Sequence, residues 1–122
     1  MSSNSSVYSG TWEQIFADGI PRTYEKNSVI ISEGELIERV YIVKSGRVVF
    51  SIVTSDGNEK IMYALNQGGI FGDVWAYSVR PYFLTATAFT QTTLASLPPD
   101  TFLNRVIAIP GAMQEWLSYI SE

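Results

Sequence analysis

The residues best suited to hold a ligand lie between Tyr63 and Thr85. The run Asn66-Gln67-Gly68-Gly69-Ile70-Phe71-Gly72-Asp73 is punctuated by glycine and ends in an acid, and Trp75, Tyr77, Arg80, Tyr82 and Phe83 follow it closely. Two chemistries suit such a stretch. A glycine turn that opens a short helix offers amide groups and a partial positive charge to an anion, with Arg80 as the one side-chain cation nearby. Alternatively, the rings offer flat walls to an aromatic ligand, with Tyr63 and Asp73 fixing its orientation. The candidate ligand-binding set is therefore Tyr63, Phe71, Gly72, Asp73, Trp75, Arg80, Tyr82, Phe83 and Thr85. Each has a plainer reading. The rings can be core, the glycines can serve only the turn, Asp73 can cap the short helix and Arg80 can be a solvated loop charge.

Composition closes many other chemistries. The chain has no cysteine and no histidine. Disulfides, thiolate metal sites, cysteine nucleophiles, His-based metal sites and Ser-His-Asp triads are all excluded. A histidine-ligated metalloenzyme on a β-roll is excluded with them. The expectation is a binding protein without catalysis, cofactor or metal. Glu33, Glu35 and Glu38 read as a solvated turn. The net charge is −4, with 12 acids against 8 bases, so the chain is a poor nucleic-acid binder by itself. No apolar run reaches the roughly 18 residues of a membrane span, and the polar Met1 to Ser6 does not resemble a signal peptide. A cytoplasmic protein with no membrane partner is expected.

The elements that must position the candidate residues are mostly strands. Residues 1–19 read as a tail and a short helix, with Thr11 as N-cap, Gln14 in capping-box spacing, and Trp12, Ile15 and Phe16 on one face. Residues 20–97 read as a β-roll, because short β-branched runs alternate with turn residues. Pro21 bars a central strand. Asn27 tolerates a left-handed turn, Val40 to Val43 is a strand covered on both faces, and Asp56-Gly57 signals a hairpin with both residues at positive φ. Residues 98–122 read as two helices. Asp100 caps the first, which sets Phe102, Leu103 and Val106 on one side. Pro110 opens the second, with Met113, Trp116, Leu117 and Ile120 at helical spacing. That apolar stripe reaches Glu122 unfinished, as the start of a truncated dimerisation helix would.

The order short helix, roll, glycine turn, two strands, two helices resembles the sensor domain of the Crp/Fnr family of bacterial transcription regulators. The matching residues are Asn27-Ser28-Val29-Ile30, Gly34-Glu35, Val40-Tyr41-Ile42-Val43-Lys44-Ser45-Gly46, Asp56-Gly57-Asn58-Glu59-Lys60 and Leu65-Asn66-Gln67-Gly68 leading to Phe71-Gly72-Asp73. The resemblance implies a mainly β fold with flanking helices, a double-stranded β-helix or jelly roll of the cyclic-nucleotide-binding-domain type. It also implies a small-molecule effector, a homodimer through the C-terminal helix, and DNA binding through a C-terminal domain absent from this chain.

In cyclic-nucleotide members of that family, Phe-Gly-Glu opens a short helix, the Glu takes the ribose and a downstream Arg-Ser or Arg-Thr pair takes the phosphate. In this chain Asp73 stands for the Glu, Tyr82-Phe83 stand at the Arg-Ser positions, and Arg80 comes two residues early. The hairpin from Asp56 to Gly69 looks most like the branch that senses halogenated phenols. In that branch a lysine follows the pocket glycine, where this chain has Asp73. The expected effector is therefore aromatic and not cyclic AMP. The alternative is a cyclic-nucleotide-binding domain that uses Arg80 for the phosphate.

Overall fold

The computed structural model describes residues 10–121. Of the tail expected over Met1 to Gly10, residues 1–9 lie outside the described residues, as does Glu122, and Gly10 caps the first helix. Helix α1 (Thr11–Ile15) leads into strands β1 (Ile20–Tyr24), β2 (Val29–Ile31), β3 (Val40–Ser45), β4 (Val48–Val53), β5 (Glu59–Leu65) and β6 (Ile70–Phe71). A 3₁₀ turn at Trp75–Tyr77 precedes β7 (Thr85–Ala88) and β8 (Thr92–Leu97), and helices α2 (Pro99–Ala108) and α3 (Ala112–Ile120) follow. The strands form two antiparallel four-stranded sheets, ordered β1-β8-β3-β6 and β2-β7-β4-β5, and every pairing joins strands in jelly-roll fashion.

Period-two alternation divides the apolar residues between two cores. In β3, Tyr41 and Val43 point between the sheets, and Val40 and Ile42 point outward beneath the helices. The inner core joins Val43, Val48, Phe50, Leu65, Phe71, Leu84 and Leu94. The outer core joins Trp12, Ile15 and Phe16 of the N-terminal segment to Phe102 and Val106 of α2 and to Ala112 and Tyr119 of α3. Phe102 is its hub, stacked on Trp12 at 6.1 Å and meeting Trp116 edge-on at 5.5 Å.

Turn chemistry follows local rules where the contacts are local. Asn27 takes φ 72°, and Pro21 lies on β1, a sheet edge. In the β4–β5 hairpin only Gly57 has positive φ. The Gly57 amide donates to the Thr54 carbonyl, and the Thr54 amide to the Asn58 carbonyl. This is a three-residue loop with a left-handed glycine, not the two-residue turn expected for Asp56-Gly57.

The three expected helix starts are also corrected. Gly10, not Thr11, is the N-cap of α1, and the Thr11 hydroxyl donates instead to Glu115 of α3 at 2.8 Å. Pro98 precedes α2, with Asp100 in its first turn, where a carboxylate suits the helix dipole without capping. Gly111 at φ 82°, not Pro110, opens α3.

Candidate ligand-binding cleft

The glycine run is a fitted turn. The Gly68 amide donates to the Val43 carbonyl, the Val43 amide to the Gly69 carbonyl, and the Gly69 amide to the Asn66 carbonyl. These bonds spend the turn's donors on the backbone and aim β6 along the edge of β3. Gly72 follows with φ 79°, and a Cβ there would stand 2.7 Å from the Arg39 carbonyl oxygen. Only glycine lets the chain pass this close and turn into the 3₁₀ segment. The Tyr77 hydroxyl anchors that segment by donating to the Pro99 carbonyl at 2.8 Å, and burial pushes this phenol up to about 12.

Between β5, the Gly72–Trp75 segment, Tyr82–Leu84 and the end of α3 lies a cleft of about 510 Å³. Its floor is Phe71, stacked on Tyr41 at 4.8 Å and braced edge-on by Phe50 at 5.3 Å. One wall is a triangle of rings: Trp75 lies 5.6 Å from Tyr82 and 5.5 Å from Phe83, and Tyr82 and Phe83 are 5.7 Å apart. Tyr82 is buried, whereas Phe83 at 53% and Tyr63 at 45% exposure form the mouth. The Tyr82 phenol is held above its ordinary range chiefly by burial, with the neighbouring Tyr63 phenol adding to the effect.

Among the described residues, no lysine or arginine lines the cleft, and Asp73 is the one carboxylate in its lining. That side chain is buried and accepts a hydrogen bond from the Trp116 indole N–H at 2.8 Å. Burial raises the Asp73 carboxyl above its usual range, and the indole bond pulls partly the other way. Helix α3 also closes the edge of β6. The Tyr119 hydroxyl accepts from the Ile70 amide at 2.8 Å and donates to the Ile70 carbonyl at 2.7 Å. A strand edge that would otherwise be open is thus satisfied by one side chain.

The structure brings Tyr63, Phe71, Gly72, Asp73, Trp75, Tyr82 and Phe83 of the candidate set together at this cleft. It does not bring Arg80 or Thr85. Arg80 is exposed beyond the 3₁₀ turn, where its amide donates to the Ser78 hydroxyl at 3.0 Å. Pro81 follows it, so the chain reaches the cleft only at Tyr82. Thr85 is half-buried in β7, and its hydroxyl accepts from the Glu33 amide at 3.2 Å. Tyr119 and Ile120 complete the lining and were absent from the sequence-based set. Ile120 belonged to the apolar stripe of α3, whereas Tyr119 was not singled out, because no spacing signalled a hydroxyl aimed at β6. Trp116, read as part of that seam, is held within the chain by Asp73 and Phe102, while Leu117 and Ile120 remain exposed.

Comparison with known proteins matches residues 21–107 to the cyclic nucleotide-binding domain. The chain belongs to that family. Among similar proteins, this cyclic nucleotide-binding domain is 23% identical over 101 residues to the CRP-like cAMP-activated global transcriptional regulator of Mycobacterium tuberculosis, covering 83% of this chain and 45% of the relative. It thus spans less than half the length of that regulator. The fold matches the Catabolite Activator Protein of Thermus thermophilus with a TM-score of 0.81 at 21% identity, over 96% of this chain and 57% of the other. It also matches oxidized CprK in complex with o-chlorophenolacetic acid, with a TM-score of 0.74 at 20% identity, over 90% and 46% of the two chains. Membership in the cyclic nucleotide-binding domain family agrees with the antiparallel jelly roll and its flanking helices. Among the described residues, no helix is long and apolar enough to cross a membrane.

Proposed function

We propose that this chain is the effector-sensing domain of a Crp/Fnr-type transcription regulator, that it catalyses no reaction, and that its effector is a flat aromatic molecule and not a cyclic nucleotide. One observation carries the ligand class: the cleft is walled by Phe71, Trp75, Tyr82 and Phe83, and among the described residues no cationic side chain lines it. A phosphodiester placed there would lose its hydration without gaining a counter-charge, and would lie near a carboxylate. An uncharged ring loses little water on entry and gains stacking contacts worth about 1 kcal/mol each beyond its buried area. Asp73 disfavours a phenolate. A neutral ring, such as a phenol below its own pKa or an indole, suits the cleft better than the halogenated phenolates that the resemblance to the phenol-sensing branch implies.

The route from cleft to output is α3. Trp116 and Tyr119 tie this helix to Asp73 and Ile70, so a ligand that displaces either bond biases the helix. In a regulator of this type the signal would pass from α3 to a dimer partner and to DNA-binding domains carried elsewhere in the full-length protein.

A thermal-shift panel tests the reading. Phenol, indole and other neutral aromatics are expected to raise the melting temperature, and the Trp75→Ala variant to lose that gain. Stabilisation by cyclic AMP or cyclic GMP, with no response to the aromatics, would overturn it. That result would favour the alternative in which the Arg80 loop refolds to bring its guanidinium to the phosphate.

A further inference from the structure

On the other side of the Tyr41–Phe71 ring pair, the inner face of the first sheet holds a second cleft of about 290 Å³, lined by Ile20, Arg22, Tyr24, Arg39, Tyr41, Leu94 and Ser96. The register explains the grouping. Arg22 lies opposite Leu94 and Tyr41 opposite Ser96, so side chains from β1, β8 and β3 alternate onto one face.

Two guanidiniums share this small space, and neither makes an ion pair among the described residues, where Arg105 with Asp18 is the ion pair present. The chain carries more acids than bases, so shortage of carboxylates does not explain it. Both arginines are held by neutral groups. Arg39 donates from Nε to the Ser96 hydroxyl at 2.7 Å and from Nη2 to the Ser96 carbonyl at 3.3 Å, which leaves Nη1 without a protein acceptor among the described residues. Arg22 sits over the Tyr24 ring, 4.6 Å from its centroid, so its hydrogen-bonding groups remain uncommitted. No acid lines the cleft among the described residues, and the Glu35 carboxylate, whose charge reaches Tyr41, accepts from the Ser32 amide. Arranged in this way, both arginines are oriented before any ligand arrives and keep donors to spare for an anion.

We propose that this cleft binds a small oxyanion, a phosphate or a carboxylate, between Arg22 and Arg39, with the Tyr24 and Tyr41 hydroxyls as further donors. The site is separate from the aromatic cleft and does not depend on what that cleft binds.

The test is calorimetric titration of the chain with sodium phosphate and, separately, with disodium succinate, at constant ionic strength. Saturable binding of at least one is expected, weakened ten-fold or more by Arg22→Gln and unchanged by Arg80→Gln. Binding of phosphate alone assigns a phosphoryl group, and binding of succinate alone assigns a carboxylate. Arg22 is exposed, so its variant is expected to fold like the parent. Arg39→Gln repeats the test from the other side if that variant folds. No saturable binding of either anion, or binding undiminished in Arg22→Gln, would overturn the proposal.

Discussion

The indole N–H of Trp116 donates to Oδ2 of Asp73 across 43 positions of sequence, joining the last helix to the acid that follows the glycine turn. This bond connects the cleft to α3. It gives a buried carboxylate its one side-chain donor among the described residues, and it places any ligand that approaches Asp73 in competition with a helix contact.

Trp116→Phe should therefore cost stability through a polar effect. The ring contact with Phe102 survives in part, but Asp73 is left buried with an unmet acceptor. The expected loss is about 2 kcal/mol, which lowers the melting temperature by several degrees. In an Asp73→Asn background the same substitution should cost measurably less, since the acceptor it orphans is neutral. A double-mutant cycle by circular dichroism melts reads this coupling. Equal costs in both backgrounds would remove the bond from the account.

The pH dependence follows from the direction of the Asp73 shift. Its carboxyl is raised in the folded chain by burial, so the native state binds the proton more tightly than the unfolded one. Between the unfolded and folded values, this group makes stability rise as pH falls, and above the folded value ionisation is a standing cost. Asp73→Asn should thus be more stable than the parent near pH 7, with the gap closing toward about pH 4. Asp18 provides the opposite sign, because its hydrogen bonds to Arg105 lower its carboxyl. Its contribution is present above the ordinary carboxylate range and is lost as pH falls through the folded value. Melting curves of Asp73→Asn and Asp18→Asn across this range should diverge from the parent in opposite senses.

Tyr119→Phe removes both hydrogen bonds to Ile70 and leaves a buried amide and carbonyl on the open edge of β6. The expected loss is about 2–4 kcal/mol, read from the urea midpoint. A change below 0.5 kcal/mol would mean that water replaces the hydroxyl freely.

Gly72→Ala should be among the most damaging single-methyl changes in the chain. Its φ of 79° strains any L-residue, and its Cβ would meet the Arg39 carbonyl at 2.7 Å. The expected loss exceeds 1 kcal/mol and should come with altered ligand response, because the cleft floor and Asp73 both follow from this turn. Gly57→Ala shares the positive φ but meets nothing within 4 Å, so it should cost less.

The features legible in the sequence were those whose causes are local. Asn27, the edge position of Pro21 and the covering of β3 on both faces depend on neighbouring residues and on strand period. The same holds for the clustering of rings at Tyr63, Phe71, Trp75, Tyr82 and Phe83, which two strands and one turn bring together. The features that were missed depend on distant contacts. Thr11 looked like a cap, but its hydroxyl reaches Glu115. Arg80 looked like an available cation, but the path through Pro81 leaves it outside the cleft. Trp116 looked like a helix-face residue and Tyr119 was not singled out at all, and their polar atoms found partners at Asp73 and on β6 that no spacing rule encodes.

The most direct measurement is calorimetric titration of one preparation with cyclic AMP and with a neutral phenol below its pKa, repeated in Arg80→Ala and in Trp75→Ala. The account predicts binding of the phenol that is lost in Trp75→Ala and kept in Arg80→Ala, and no heat from cyclic AMP. Saturable binding of cyclic AMP that disappears in Arg80→Ala, with no heat from the phenol, would contradict it.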